Sequence, residues 1–327
     1  MTTHMSKPIN IKERYKIVPQ MESYDKINCV YKPFIMFFNC ANFISKHVNT
    51  DEIGFRLNYY NGDKNDNKYF YNKPEVTIII GGSLVFGFGA TSDKNTISSI
   101  LSEKTNNIFL NFGATAFNSK QEILLFLNFF NKFVNIKNVI IVSGANDLYL
   151  NLENTEDEWG NLFFKKKYNN IFNSYSNKKI SFHKLINIFN KIFKKKEKNI
   201  TARKINFNKL YENYCQNFKL WSNLSIGFNF KLHFFLQPLA TWTKKNVTSE
   251  EKKIFHILDS SNDIAHLNLK EISKLENYQN FTELLNKSAN KNKVNFVDLN
   301  VELKKNKNIN NSLFVDRIHM NDLGYEE

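Results

Sequence analysis

The side chains that acyl transfer through a serine ester requires occur in this chain in a fixed order. Ser83 comes first, Gly113 and Asn146 follow, and His319 lies three residues after Asp316. A serine hydroxyl is a poor nucleophile until a neighbouring base takes its proton, and an imidazole does this best near neutral pH. A carboxylate can hold that imidazole in the correct tautomer. This set of residues therefore indicates serine-based acyl transfer.

The same set offers hydrogen-bond donors for the tetrahedral oxyanion of such a reaction, which must be in place before charge develops. The backbone N–H groups of Ser83 and Gly113, with the side-chain amide of Asn146, would supply three. Each residue also has a simpler explanation: a strand-end turn for Gly113, a helix cap for Asn146 and ordinary packing for His319. The joint order is much less expected by accident than any single residue.

The stretch around Ser83 is typical of a buried strand that ends in a sharp turn. The run from Val76 to Ile80 is entirely apolar or β-branched, as in a strand buried on both faces of a parallel sheet. Gly81 and Gly82 then allow the chain to turn, which would present Ser83 at the carboxyl edge of the sheet, where ligands bind. Two other readings fail on spacing, because the glycines match neither a dinucleotide fingerprint nor a phosphate-binding loop.

Strands and helices alternate from residue 76 onward, and this pattern predicts a parallel sheet covered on both faces. The predicted strands cover 76–80, 107–112, 138–142, 231–236 and 294–299. Predicted helices cover 95–104 and 121–133, and a helical stretch runs from a capping-box signature at Thr248 to about Ser288. Right-handed crossovers would place the strand ends, and the candidate residues that follow them, on one edge.

The four candidate blocks together resemble those of the SGNH, or GDSL-like, hydrolase family. The serine block is Gly81-Gly-Ser83-Leu-Val-Phe-Gly87, with Gly82 where the family's G-D-S-L pattern has Asp. The other three blocks are Asn111-Phe-Gly113-Ala, Gly144-Ala-Asn146-Asp147 and Asp316-Arg-Ile-His319-Met-Asn-Asp-Leu-Gly324. The resemblance covers about 75–148 and 231–327.

This resemblance implies roles for the residues and a fold for the chain. Ser83 would be the nucleophile, His319 the base and Asp316 its orienting acid, with Ser83, Gly113 and Asn146 forming the oxyanion hole. The implied fold is a flavodoxin-like three-layer α/β/α sandwich, in agreement with the pattern of strands and helices. The implied chemistry needs no metal and no organic cofactor.

The remaining parts of the chain are predicted to be additions to this core. Residues 1–74 would form an N-terminal extension packed on a catalytic domain of residues 75–327. Residues 150–230 would form a helical insertion or cap, which includes a basic amphipathic helix at 180–198. That helix would either cover the domain with its lysines in water or lie on an anionic surface such as a membrane.

The composition limits the partners and the chemistry. The net charge is +14, but only four of the 45 basic residues are Arg, so nucleic acid, for which Arg is favoured, is not an expected specific partner. The three cysteines show no metal-ligand spacing and are expected to be ordinary thiols. The cytoplasm is the default location, and the cell envelope applies if a native leader has been removed.

The predicted function is a serine esterase that removes short acyl groups, above all O-acetyl, from a carbohydrate. The substrate would be an acylated glycan or another small ester, and Trp159, Trp221 and Trp242 are candidates for stacking on sugar rings or for the core. The alternatives are an acyltransferase that moves the acyl group to a glycan and a lipid esterase. A non-catalytic glycan- or membrane-binding protein is disfavoured by the intact Ser83, His319 and Asp316.

Overall fold

The computed structural model describes residues 10–152, 204–243, 246–261 and 263–327. Its strands, in chain order, are β1 (Cys29–Lys32), β2 (Met36–Asn39), β3 (Asn58–Tyr60), β4 (Asp63–Asn65), β5 (Val76–Gly81), β6 (Phe109–Gly113), β7 (Ile136–Ser143), β8 (Lys231–Leu236) and β9 (Asn295–Asp298). The first four strands form two separate antiparallel hairpins, β1–β2 and β3–β4. The other five form one parallel sheet.

The helices of the described residues are, in chain order, α1 (Met21–Tyr24), α2 (Ser83–Phe86), α3 (Ile97–Thr105), α4 (Ser119–Phe129), α5 (Ala145–Leu152), α6 (Phe207–Phe228), α7 (Ala240–Thr243), α8 (Ser249–Asp259), α9 (Ile264–Ile272), α10 (Leu275–Lys291), α11 (Leu299–Lys304) and α12 (Asp322–Glu326). None of them is both long and apolar enough to cross a bilayer.

The strand order of the parallel sheet is β6-β5-β7-β8-β9, which is the flavodoxin-like order. Every residue of β5, which lies between β6 and β7, is buried, as its apolar composition predicts. Because side chains alternate along a strand, Ile78 and Ile80 join one layer of the core while Ile79 joins the other. The predicted three-layer α/β/α fold is confirmed.

Helices cover both faces of this sheet through large apolar side chains. On the first face, α4, α6 and α10 contribute residues such as Phe126, Trp221 and Phe281. On the second, α2 and α8 contribute residues such as Phe86 and Phe255, together with the chain around Phe314. Helix α6 falls inside the predicted insertion at 150–230, and it packs against the sheet; the predicted basic helix at 180–198 lies outside the described residues.

The helical stretch predicted from Thr248 to Ser288 is in fact three helices, α8, α9 and α10. The capping box at its start is present, because Thr248 and Glu251 exchange hydrogen bonds between side chain and backbone. The stretch is interrupted where Asp263 caps the start of α9 with its side chain and again before α10, where Lys274 has extended backbone angles. Apolar residues continue at helical spacing across these breaks, so the sequence pattern alone does not reveal where one helix ends and the next begins.

Residues 10–74 pack against the parallel sheet by way of buried polar contacts. Tyr24 donates its hydroxyl to the carbonyls of Gly87 and Ala90, and Gln20 donates to the carbonyl of Gly89. These carbonyls belong to the turn that follows α2. The N-terminal segment is thus attached to the chain immediately after Ser83.

Candidate active site

Ser83 is the first residue of α2, directly after the buried strand β5. The turn is made by Gly82, whose backbone is extended and serves as the N-cap of α2. At this position the N–H of Ser83 has no acceptor within the helix, because the first N–H groups of a helix lie beyond its own carbonyls. The side chain is almost fully buried, with 7% of Ser83 exposed.

The predicted triad side chains lie within hydrogen-bond distance of one another. The Oγ of Ser83 is 2.6 Å from the Nε2 of His319, and the Nδ1 of His319 is 2.7 Å from the Oδ2 of Asp316. An ionised carboxylate only accepts hydrogen bonds, so Nδ1 carries the proton toward Asp316. The Nε2 atom of a neutral His319 is then an acceptor that faces the serine hydroxyl.

Asp316 is held in its ionised form by its surroundings. Burial alone would raise the pKa of Asp316, but the charge and hydrogen bond of His319 and the backbone N–H of Ile318 outweigh this effect. The balance lowers the pKa of Asp316 to about 2. The second carboxylate oxygen, Oδ1, accepts the N–H groups of Ile318 and His319 at 2.9 and 2.8 Å, which fixes the carboxylate against the imidazole.

The turn that carries Asp316 and His319 is anchored from outside the triad. Phe314 and Met320 form an antiparallel bridge across the base of the turn. Glu251, the third residue of α8, is fully buried and accepts the N–H groups of Leu313 and Phe314 at 3.0 and 3.2 Å. The capping residue of one helix therefore also sets the position of the histidine turn.

Asn146 lies beside the serine turn rather than at a helix cap. It is the second residue of α5, and its Nδ2 donates to the carbonyl of Phe117 at 2.7 Å. A Cβ atom on Gly82 would come within 2.6 Å of the same Nδ2, so the amide lies directly against the residue before Ser83. The amide has a second hydrogen, which leaves Asn146 able to donate to an oxyanion at Ser83.

Gly113 has a packing role at the end of β6. A Cβ atom at this position would lie 2.0 Å from the backbone nitrogen of Phe86, which explains the glycine by the close approach of α2 to β6. Its N–H donates to the Oδ1 of Asn111 at 3.0 Å. The oxyanion-hole role of Gly113 stays a prediction, as do those of Ser83 and Asn146.

Two residues beside this site were not predicted from the sequence. The ring of Phe88 lies 4.5 Å, centre to centre, from the ring of His319 and covers one side of the imidazole. Ala116 has a φ of 59°, a left-handed conformation that costs a non-glycine residue about 1 kcal/mol or more, in the loop next to Phe117. Neither carries a sequence signal, since an aromatic residue and an alanine are common everywhere.

The tryptophans proposed as sugar-stacking residues are not at the site. Trp221 packs against Phe126, and Trp242 donates its indole N–H to the carbonyl of Lys274. The exposed fractions of the two side chains are 1% and 0%. Both are core residues, so the stacking prediction is wrong for them, while Trp159 lies outside the described residues.

Comparison with known proteins finds likeness only among solved structures, since the sequence matches no family model and no curated protein. One similar structure is a member of the lipolytic protein G-D-S-L family from Veillonella parvula DSM 2008, with a TM-score of 0.40 and 14% identity over 77% of this chain and 92% of that chain. A second is the acetyl xylan esterase AlAXEase, with a TM-score of 0.37 and 13% identity over 77% and 94%. A third is the lipase/acylhydrolase from Enterococcus faecalis, with a TM-score of 0.37 and 11% identity over 77% and 90%. The activities in these names belong to those proteins.

Proposed function

We propose that this protein is a serine esterase of the SGNH type that hydrolyses short acyl esters. The observation that carries the proposal is the pair of short contacts from Ser83 to His319 and from His319 to Asp316, at 2.6 and 2.7 Å. Ser83 is 236 positions from His319 along the chain, so the contact between them has no local cause. The side chains are in the order that base-assisted attack by a serine requires.

In this mechanism the Oγ of Ser83 attacks the ester carbonyl carbon while its proton passes to the Nε2 of His319. The N–H of Ser83 and the Nδ2 of Asn146 stabilise the oxyanion. The tetrahedral intermediate then collapses, and the alcohol leaves with the proton from His319. Water attacks the acyl-serine by the same route, which releases the carboxylic acid and restores the hydroxyl of Ser83. Asp316 keeps the imidazole oriented throughout.

Burial of the reacting groups supports a small acyl group such as acetyl. Ser83, His319 and Asn146 are exposed by only 7%, 8% and 7% of their surfaces. A long acyl chain would need a wide apolar opening next to Ser83, whereas an acetyl group fits a narrow one. The alcohol part is proposed to be a carbohydrate on the family resemblance alone, since Trp221 and Trp242 are core residues.

The test is hydrolysis of p-nitrophenyl esters by the wild type and by Ser83→Ala. The variant should lose turnover of the acetate ester by at least ~10³-fold with an unchanged circular dichroism spectrum, because no other group replaces the nucleophile. Turnover of acetate but not octanoate esters by the wild type supports the short acyl group. Equal hydrolysis by the variant contradicts the assignment of Ser83, and faster transfer to an added sugar than to water would make the protein an acyltransferase.

A further inference from the structure

Asn39 is a fully buried residue of the N-terminal hairpin whose side chain reaches the loop beside the candidate site. It is the last residue of β2 and has an exposed fraction of 0%. Its Oδ1 accepts the N–H of Thr115 at 3.0 Å and the hydroxyl of Thr115 at 3.1 Å. Its Nδ2 donates to the carbonyls of Gly113 and Gly54 at 3.3 and 3.2 Å.

These four contacts use the whole hydrogen-bonding capacity of the Asn39 amide, which has two donors and two acceptor positions. Nothing remains for a substrate, so the residue acts on the chain and not on a ligand. Its contacts connect three segments that are distant in sequence: the hairpin β1–β2, the turn at Gly54, and the loop that follows β6. An aspartate or a leucine of similar size could not make these contacts, because the oxygen of the amide accepts two hydrogen bonds and its nitrogen donates two.

The loop held by Asn39 also holds the candidate oxyanion donor. Two residues after Thr115, the carbonyl of Phe117 accepts from the Nδ2 of Asn146 at 2.7 Å. This contact fixes one hydrogen of the amide, and the plane of the amide then decides where the second hydrogen points. The same Nδ2 lies against Gly82, next to Ser83. A shift of the Phe117 carbonyl would therefore rotate the Asn146 amide relative to Ser83.

We infer that Asn39 is a positioning residue for the candidate site, which acts through the Phe117 carbonyl on the amide of Asn146. The inference rests on the proposed function, and it makes the N-terminal segment a working part of the site. A preorganised donor loses much of its effect when it is displaced by about 1 Å. Removal of Asn39 should therefore lower kcat, because the interaction concerns the transition state, and leave KM nearly unchanged.

The test is a double-mutant cycle on kcat for p-nitrophenyl acetate with Asn39→Ala, Asn146→Ala and the double variant, measured where all are folded. Asn39→Ala alone should lower kcat by ~10-fold or more with KM changed less than ~3-fold. In the Asn146→Ala background the same change should lower kcat by less than ~3-fold, because the residue that it positions is gone. Equal losses in the two backgrounds would overturn the inference.

The matched control is Asn58→Ala, which removes another buried amide of the N-terminal segment. Asn58 is 1% exposed and bonds to Ser98 and Asn67, away from the loop at 113–117. This variant should unfold at a lower temperature but keep kcat within ~2-fold of the wild type, since lost stability alone does not move an oxyanion donor. A drop in kcat as large as that of Asn39→Ala would overturn the inference, because any loss of packing would then suffice.

A milder variant keeps the inference testable if Asn39→Ala does not fold. Thr115→Val removes the hydroxyl donor to Asn39 but keeps the backbone N–H. It should lower kcat by ~3-fold or more in the wild-type background and not in Asn146→Ala. Equal effects in the two backgrounds would again overturn it.

A readout without turnover separates this inference from the proposed function. In Ser83→Ala protein, Asn39→Ala should speed hydrogen exchange of the backbone amides at 113–117, and unchanged exchange there counts against the inference. A wild type that hydrolyses no ester and takes no fluorophosphonate label at Ser83 refutes the proposed function instead. If the wild type is active but the effects of Asn39→Ala and Asn146→Ala on kcat simply add, only the role of Asn39 is refuted.

Discussion

At the scale of single residues, Gly113 shows that a motif residue can also be required for packing. A glycine after the second parallel strand suggests an N–H at the sheet edge. In the structure this N–H donates to Asn111, and the backbone of Phe86 approaches so closely that a side chain would not fit. Packing alone therefore gives a reason for glycine at this position.

Gly113→Ala should therefore lose stability. The added Cβ atom would lie 2.0 Å from the backbone nitrogen of Phe86, and a backbone atom cannot move aside as a flexible side chain can. We expect the free energy of unfolding to fall by about 3 kcal/mol, measured by urea denaturation. Gly227→Ala is the matched control, since its Cβ atom meets nothing within 4 Å in the last turn of α6, and it should raise stability by up to about 1 kcal/mol. An unchanged free energy of unfolding for Gly113→Ala would contradict the packing explanation.

One physical reason explains why some residues beside the site could not be predicted from the sequence. Ser83, His319 and Asp316 have chemistry that is readable from residue type and order. Asn39 and Phe88 carry no reactive group, and their partners are set by how distant segments pack. In a chain so rich in asparagine, one more asparagine in an apolar stretch carries no information about its four hydrogen bonds.

At the scale of elements, the parallel sheet was predictable and the N-terminal hairpins were not. Strands buried on both faces read as continuous apolar runs, and β8 was predicted with its observed bounds, Lys231–Leu236. The apolar stretch from Val30 to Ile44 is interrupted by polar residues and a proline, so its sequence predicts no strand. Pro33 follows β1 and opens the turn to β2, and positive φ angles occur at Phe34 in this turn and at Met36, the first residue of β2. Short hairpins such as β1–β2 and β3–β4 are stabilised by the surface on which they pack, so their own sequences do not predict them.

Helix α4 carries a buried carboxylic acid, Glu122, that makes the stability of the protein depend on pH. Glu122 is 0% exposed, and its Oε1 accepts from the hydroxyl of Ser143 at 2.6 Å. Burial first, and then the charge of Asp147, raise the pKa of Glu122 well above its usual value. A carboxyl group with a raised pKa binds its proton more tightly when the chain is folded. Its contribution to the free energy of unfolding therefore falls as pH rises above the unfolded pKa of about 4.3.

Glu122→Gln should remove this loss of stability at high pH. The amide keeps an oxygen for Ser143, and it has no charge to bury near Asp147. We expect the variant to exceed the wild type by about 1 kcal/mol or more in urea denaturation at pH 8, with the difference shrinking toward pH 4. Glu75→Gln, which changes an exposed carboxylate paired with Lys137, should stay within about 0.5 kcal/mol at every pH. A difference for Glu122→Gln that does not vary with pH would contradict the explanation.

At the scale of the whole molecule, one buried arginine joins the N-terminal segment to the core around Ser83. Arg56 is 0% exposed, and its guanidinium donates to Asp93 at 3.0 Å and to the hydroxyl of Tyr24 at 2.7 Å. It also donates to three backbone carbonyls, those of His47, Phe86 and Gly87. The acceptors come from both the N-terminal segment and the turn after α2. With Asn39, Arg56 indicates that residues 10–74 and the sheet form one structural unit around Ser83.

Arg56→Met should therefore destabilise the whole molecule in one transition. The methionine fills part of the space but leaves Asp93 buried without its main positive partner, and removal of one member of a buried ion pair costs about 3–5 kcal/mol. Because the arginine contacts both parts, the midpoint in urea should shift by the same amount for tryptophan fluorescence, circular dichroism and ester hydrolysis.

The matched control is Lys68→Met, which breaks an exposed pair with Glu52 in the same segment and should change stability by less than about 1 kcal/mol. Two separate transitions in Arg56→Met, with hydrolysis retained after the first, would mean that residues 10–74 unfold independently and that the site does not need them. A single transition is expected, because Arg56 bonds both to the N-terminal segment and to the turn after α2. Loss of this side chain therefore weakens both parts together.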